Sequence, residues 1–131
     1  MNGLFFVEDC NEHVLSDAYL ACVSPVYNVQ DLYVKLAETL DFPNYFGENW
    51  DALIDLYRDF TWIEQKTIII FHKDLSELSD SELEKYLGCV LICLDTWSDG
   101  LEHCISFIFS HQDEGRILHI LSDKINEIRK V

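Results

Sequence analysis

The stretch FPNYFGENWDALIDLYRD (42–59) carries four carboxylates, with Glu48 first and then Asp51, Asp55 and Asp59 at intervals of four. On a helix that interval lines side chains along one ridge, and like charges so placed destabilise an isolated helix by roughly 0.2–0.5 kcal/mol per pair. The helix dipole accounts for Glu48 and Asp51, because acids are favoured at the first turn. It does not account for Asp55 or Asp59 towards the C-terminal end, and Arg58 offers only partial relief. Such a stripe is either a solvated face or a surface that presents negative charge to a partner. It is a poor site for a divalent cation, since aspartates four apart on a rigid helix do not converge on one ion without ligands from elsewhere.

Other chemistry is thinner. His72 follows an apolar run and would need Asp74 or Asp55 to form an acid–base pair. No GxSxG, P-loop or HExxH pattern marks a nucleophile, phosphate cradle or zinc site, so an enzyme is not expected. The five cysteines (10, 22, 89, 93 and 104) include no CxxC pair. Buried thiols acting as small apolar residues explain them better than a disulfide framework or a metal, and no cofactor is expected.

Charge narrows the partners. Twenty-four acids oppose nine bases, a formal net charge of −15. Most of this surface would repel nucleic acid, and no Lys/Arg cluster precedes Arg129-Lys130, so direct DNA or RNA binding is disfavoured. Cations, basic peptides and basic proteins remain. No apolar run reaches membrane-spanning length, and MNGLFFVEDCNEH lacks the basic start of a secretory signal, so a cytoplasmic protein is expected. With 131 residues and 49% apolar composition the chain suits one globular domain.

The elements that must position the ridge follow from periodicity. LFFV (4–7) reads as a first strand, whereas residues 8–27 are ambiguous, with a short helix or hairpin around HVLSDAYLACV. Val29, Leu32, Tyr33, Leu36, Ala37 and Leu40 follow helical spacing behind Asn28, a credible N-cap. Pro43 ends that helix, and Asn49 can cap a shorter one burying some of Trp50, Leu53, Ile54 and Tyr57. TIIIF (67–71) and CISFIFS (104–110) read as strands covered on both faces. Between them SDSE (79–82) is a capping box opening a helix with a stripe of Leu83, Tyr86, Leu87, Val90, Leu91, Leu94 and Trp97. RILHIL (116–121) either adds a strand or leads straight into a last helix. Long crossovers between apolar strands argue for an α/β fold, a small three-stranded parallel sheet with helices packed on it.

The loop ahead of the ridge is shaped rather than slack. Pro43 fixes one dihedral and Gly47 permits a positive one. Tyr45 and Phe46 are large for a loop, and rigid aromatics beside charge are what protein interfaces use as anchors. The pattern Pro43, Tyr45, an aromatic, Gly47, Asn49, Asp51-Ala52-Leu53 and Asp55 closely resembles the signature of the barstar family, intracellular inhibitors of ribonucleases. A helix ahead, Trp62 behind, and then strand, long helix and strand follow in that family's order, with 8–27 and 111–131 reading as additions.

The resemblance implies a barstar-like fold and a monomeric inhibitor, an immunity protein that binds a cognate basic ribonuclease toxin 1:1. In the family the second helix and its preceding loop plug the nuclease site, and carboxylates replace RNA phosphates. Carried over, Asp55 is the central phosphate mimic with Asp51 beside it. Tyr45 and Trp62 are aromatic contacts, with Phe46 next to Tyr45; Gly47, Glu48 and Asn49 set the loop, and Asp59 extends the ridge. Ile54 stands where the founding member has Trp, altering one contact. Asp95, Asp99 and Glu102 are candidates for a further contact acid. The alternative is a barstar-like module that turns its acidic face to a partner other than a nuclease.

Overall fold

Apolar runs rich in β-branched and aromatic residues become strands in the computed structural model, which describes residues 3–8, 17–44 and 46–129, with side chains described as far as Ser122. In chain order these are β1 (Gly3–Val7), β2 (Tyr19–Val23), α1 (Val29–Thr39), α2 (Trp50–Tyr57), β3 (Thr67–His72), α3 (Asp80–Thr96), β4 (Cys104–Ser110) and α4 (Glu114–Arg129). The strands form one sheet in the order β1-β4-β3-β2, every pair parallel. Among the described residues no helix is long and apolar enough to cross a membrane.

The sheet has four strands, not the three expected. The addition is β2, from YLACV, where the sequence suggested a helix or hairpin. A hairpin is ruled out for this segment by its partner, since Tyr19 lies opposite Ile68 of β3 in a parallel pair. At the sheet edge Leu20 is exposed and Tyr19 and Cys22 half-buried, so five residues carry too weak an alternation to separate strand from helix. The rest of that ambiguous stretch, residues 9–16, lies outside the described residues.

Alternation along the strands sends Ala21, Val23, Ile68, Ile70, Ile105, Phe107 and Phe109 into one large core, shared with the buried residues of all the helices. Val7, Ile69, Phe71 and Ile108 form a smaller cluster on the opposite face. Both caps act as anticipated: Asn28 accepts from Asp31 N, and Ser79 and Glu82 close the capping box of α3. The α3 stripe is rotated from expectation. Cys89 and Cys93 are buried with Leu83, Tyr86, Leu87 and Val90, while Leu91 is exposed and Leu94 half-buried. A helix seated against both the sheet and α2 needs small side chains where the two backbones approach. RILHIL is helical: after one 3₁₀ turn (His111–Asp113), α4 packs Ile117 and Ile120 into the core. Asp113 accepts from Leu75 N, and the Arg116 guanidinium bonds the carbonyls of Leu75, Ser76 and Leu78 and pairs with Asp80.

Candidate partner-binding site on α2 and its loop

The crossover from β2 to β3 carries the whole motif. After α1 the chain turns through Asp41 at φ +53°, and Phe42 N reaches back to the Ala37 carbonyl at 3.0 Å, the closing bond of a Schellman-type cap. Phe46 N donates to the Pro43 carbonyl (3.2 Å). Phe46 does not stand free: it is half-buried, edge-on to Phe42 (5.0 Å) and Tyr33 (5.9 Å). Its ring pins the loop to α1, and Trp50 does the same from the first turn of α2, 5.2 Å from Tyr33. Tyr45 lies outside the described residues.

The left-handed residue of the loop is Glu48 (φ +51°), not Gly47. Gly47 suits the loop for another reason. A Cβ there would meet Asn49 Nδ2 at 3.2 Å, the group that donates to the Gly47 carbonyl. Asn49 meanwhile caps α2, accepting from Ala52 N at 2.8 Å. A left-handed conformation disfavours any side chain by roughly 1–2 kcal/mol. The loop therefore holds Glu48 outward under strain, as is common where a binding surface is preset.

On α2, Leu53, Leu56 and Tyr57 face the core, and Asp51 and Asp55 lie exposed on the outer ridge with Ile54 half-buried beside them. Asp59 is not on the helix. It follows the C-cap Arg58 and is half-buried, just before Phe60 turns left-handed at φ +47°. The ridge is thus Glu48, Asp51 and Asp55, with Asp59 at its foot. Among the described residues none of these four carboxylates has a cation or a hydrogen-bond donor, and the last turn of α2 has no basic residue. Arg58 is exposed and forms no ion pair with them.

Three contacts hold α2 in place. Trp97 Nε1, at the end of α3, donates to the Tyr57 carbonyl (2.8 Å); Tyr57 and Tyr86 share a hydroxyl hydrogen bond (2.8 Å); and Cys89 Sγ lies 3.9 Å from the Trp50 carbonyl. Since Cys89 meets the start of α2 and Trp97 its end, α2 and α3 run parallel. Asp95 is exposed in the last turns of α3, Asp99 is exposed with its carboxylate accepting from Leu101 N, and Glu102 is exposed ahead of β4.

Trp62 is half-buried and donates from Nε1 to the Leu40 carbonyl (2.9 Å), with its ring edge-on to Phe42. It braces the end of α1. His72, the candidate acid–base residue, is fully buried, and its two nitrogens are taken by the Ile108 carbonyl and the Tyr86 hydroxyl. Its partner is therefore neither Asp74 nor Asp55, and sequence reasoning missed the role of His72, Tyr86 and Tyr57 as a buried network. The available signal was position: residues 68, 70 and 72 share the helix-covered face of β3. Among the described residues no three His, Cys, Asp or Glu side chains converge as metal ligands. Burial raises the Cys93 thiol far above its ordinary value, consistent with a packing role.

A family profile described as "Barstar (barnase inhibitor)" matches residues 19–121, and the chain belongs to the barstar family. That description is of a ribonuclease-binding inhibitor and not of an enzyme. The matched span starts at β2 and runs into α4, so β1 lies ahead of it. No curated protein matches the chain.

Proposed function

We propose that this protein is a cytoplasmic immunity protein, a monomer when free, that binds a cognate basic ribonuclease toxin 1:1 and occludes its active site. The observation carrying this is the unpartnered ridge of Glu48, Asp51 and Asp55, preset by a strained, aromatic-pinned loop in a chain of the barstar family. A ribonuclease site is rich in Arg, Lys and His arranged to hold phosphate. A carboxylate entering it forms charge-assisted hydrogen bonds out of water, where they are strongest. Asp55 takes the central phosphate position and Asp51 the neighbouring one. Gly47, Glu48 and Asn49 shape the approach, Tyr45, Phe46 and Ile54 supply apolar contact, Asp59 adds charge at the rim, and Trp62 supports the surface from behind.

The test is titration of RNA cleavage by a panel of basic ribonucleases, barnase-like enzymes and any nuclease encoded by a neighbouring gene included, with wild-type protein and with Asp55→Ala. Wild type inhibits stoichiometrically. Truncating one member of a buried charge pair weakens binding by about 2–5 kcal/mol, so Asp55→Ala loses about 30-fold to a few thousand-fold. Ranges of this kind include the barnase–barstar complex itself and are carried over from it. Undiminished inhibition by Asp55→Ala would overturn the plug.

A further inference from the structure

Helix α2 is joined to the sheet by a buried chain of polar groups whose direction follows from their chemistry. His72 Nδ1 lies 3.0 Å from the Ile108 carbonyl, which can only accept, so Nδ1 carries a hydrogen. In the neutral ring Nε2 is then an acceptor, and the Tyr86 hydroxyl 2.5 Å away donates to it. Tyr86 has no second hydrogen, so Tyr57 donates to Tyr86 across 2.8 Å. The order Tyr57, Tyr86, His72, Ile108 runs from α2 through α3 to β3 and β4, and uses each hydrogen once. All three side chains are fully buried.

An extra proton does not fit this arrangement. A protonated Nε2 must donate, so Tyr86 must accept from it and turn its own hydrogen to Tyr57. The Tyr57 hydrogen then loses Tyr86 as its acceptor, the one hydrogen-bond partner the Tyr57 hydroxyl has among the described residues, and the Tyr57 ring itself packs against those of Phe60 and Phe107. The groups around the imidazole offer no compensation. Phe109 (4.4 Å, stacked) and Phe107 face it from β4, Tyr86 from α3, and Val23 lies beside it on β2. The next titratable groups are Tyr57, Cys89 and Cys93, with no carboxylate among the influences on His72. Burial accordingly lowers its pKa from 6.5 to about 4.

The cost of reversing the chain falls on α2, because the hydrogen left without an acceptor belongs to Tyr57. Eight residues are too few for a helix to persist alone. Its flanks pass through left-handed Glu48 and Phe60, and Asp51 and Asp55 repel each other along it. We propose that the chain is an acid latch: protonation of His72 reverses its hydrogen bonds and releases α2 from the sheet while β3 and β4 stay paired. The consequence, which rests on the inhibitor reading, is that a bound ribonuclease is let go in acid.

The closed state binds the proton more weakly than the open one. The latch is therefore intact above pH 6.5 and weakens as pH falls towards about 4, by at most about 300-fold in the opening equilibrium, the limit reached when opening exposes His72 fully to solvent. Residue-by-residue amide exchange on the full chain between pH 7 and 4.5, corrected for intrinsic rates, tests it. In wild type the Leu53–Tyr57 amides lose protection by pH 4.5, by at least about 5-fold and at most about 100-fold, while β3 and β4 lose far less. His72→Gln keeps a donor and an acceptor but cannot take the proton, and holds α2 protection level. Tyr57→Phe removes only the hydroxyl linking α2 to the chain, so its α2 exchange no longer follows pH. Equal loss in helix and strands, or a pH response in His72→Gln matching wild type, would overturn the latch. Should His72→Gln not fold, persistent pH dependence of α2 in Tyr57→Phe overturns it alone. No nuclease is present, so a chain that opens in acid yet inhibits no ribonuclease removes the inhibitor reading and leaves the latch standing.

Discussion

Asp55→Asn is expected to make the free protein more stable. Asp55 is exposed in the last turn of α2, four residues after Asp51, with no cation to answer either charge among the described residues. Neutralising it relieves the Asp51–Asp55 repulsion, about 0.2–0.5 kcal/mol. It also removes an anion from the negative end of the helix dipole, about 0.3–1 kcal/mol at an exposed site. Together these give about 0.5–1.5 kcal/mol, or about 2–6 °C in Tm for a chain of this size. Asp51→Asn is the internal control. It relieves the same repulsion but sacrifices a favourable first-turn charge, so its net effect lies near zero. Urea and thermal unfolding of both variants at low ionic strength measures the difference, which should shrink near 1 M salt, where the Debye length falls to about 3 Å. A neutral or destabilised Asp55→Asn at low salt, or a larger gain from Asp51→Asn, would refute the reasoning that Asp55 is kept at the expense of stability for a partner.

Two further substitutions probe the supports. Burial raises the pKa of Asp113, so the folded state holds a proton more tightly than the unfolded state and pays a penalty once the group ionises; Asp113→Asn, still able to accept from Leu75 N, should stabilise the protein at pH 7, with the gap in urea midpoint closing as pH falls towards 3.8. Trp62→Phe deletes the donor to the Leu40 carbonyl and should lower stability by about 1–3 kcal/mol in urea unfolding, whereas a Trp62 that only met a partner would leave stability unchanged.

Sequence pattern anticipated the elements whose local signals agree with their tertiary setting. Asn28, Asn49 and the Ser79–Glu82 box each satisfy helix donors with their own side chains, so those helix starts were legible without the fold. TIIIF and CISFIFS are apolar on both faces because parallel strands are covered on both. β2 was obscure because an edge strand buries half of what a central strand does, and its pairing to β3 bridges a long crossover that no local pattern announces. The rotation of α3 was obscure for a related reason. Leucine counts describe a helix in isolation, while the choice of Cys89 and Cys93 over Leu91 depends on how closely α2 and the sheet approach it.

The site divides along the same line. Asp51 and Asp55 could be singled out because they break a local rule: charges at that spacing oppose helix formation, and the fold nonetheless keeps both exposed on one face of α2. Gly47 and Glu48 show the limit of such reasoning. A glycine beside a proline invites a positive φ, but the backbone puts that strain on Glu48 and reserves Gly47 for close approach to Asn49. Tyr57, Tyr86 and His72 break no local rule at all. Each is an ordinary core residue of its own element, and only when α2, α3 and β3 are brought together do their polar atoms form a directed chain. The acid ridge belongs to α2 and the loop just before it, whereas what holds that ridge in place belongs to the packing.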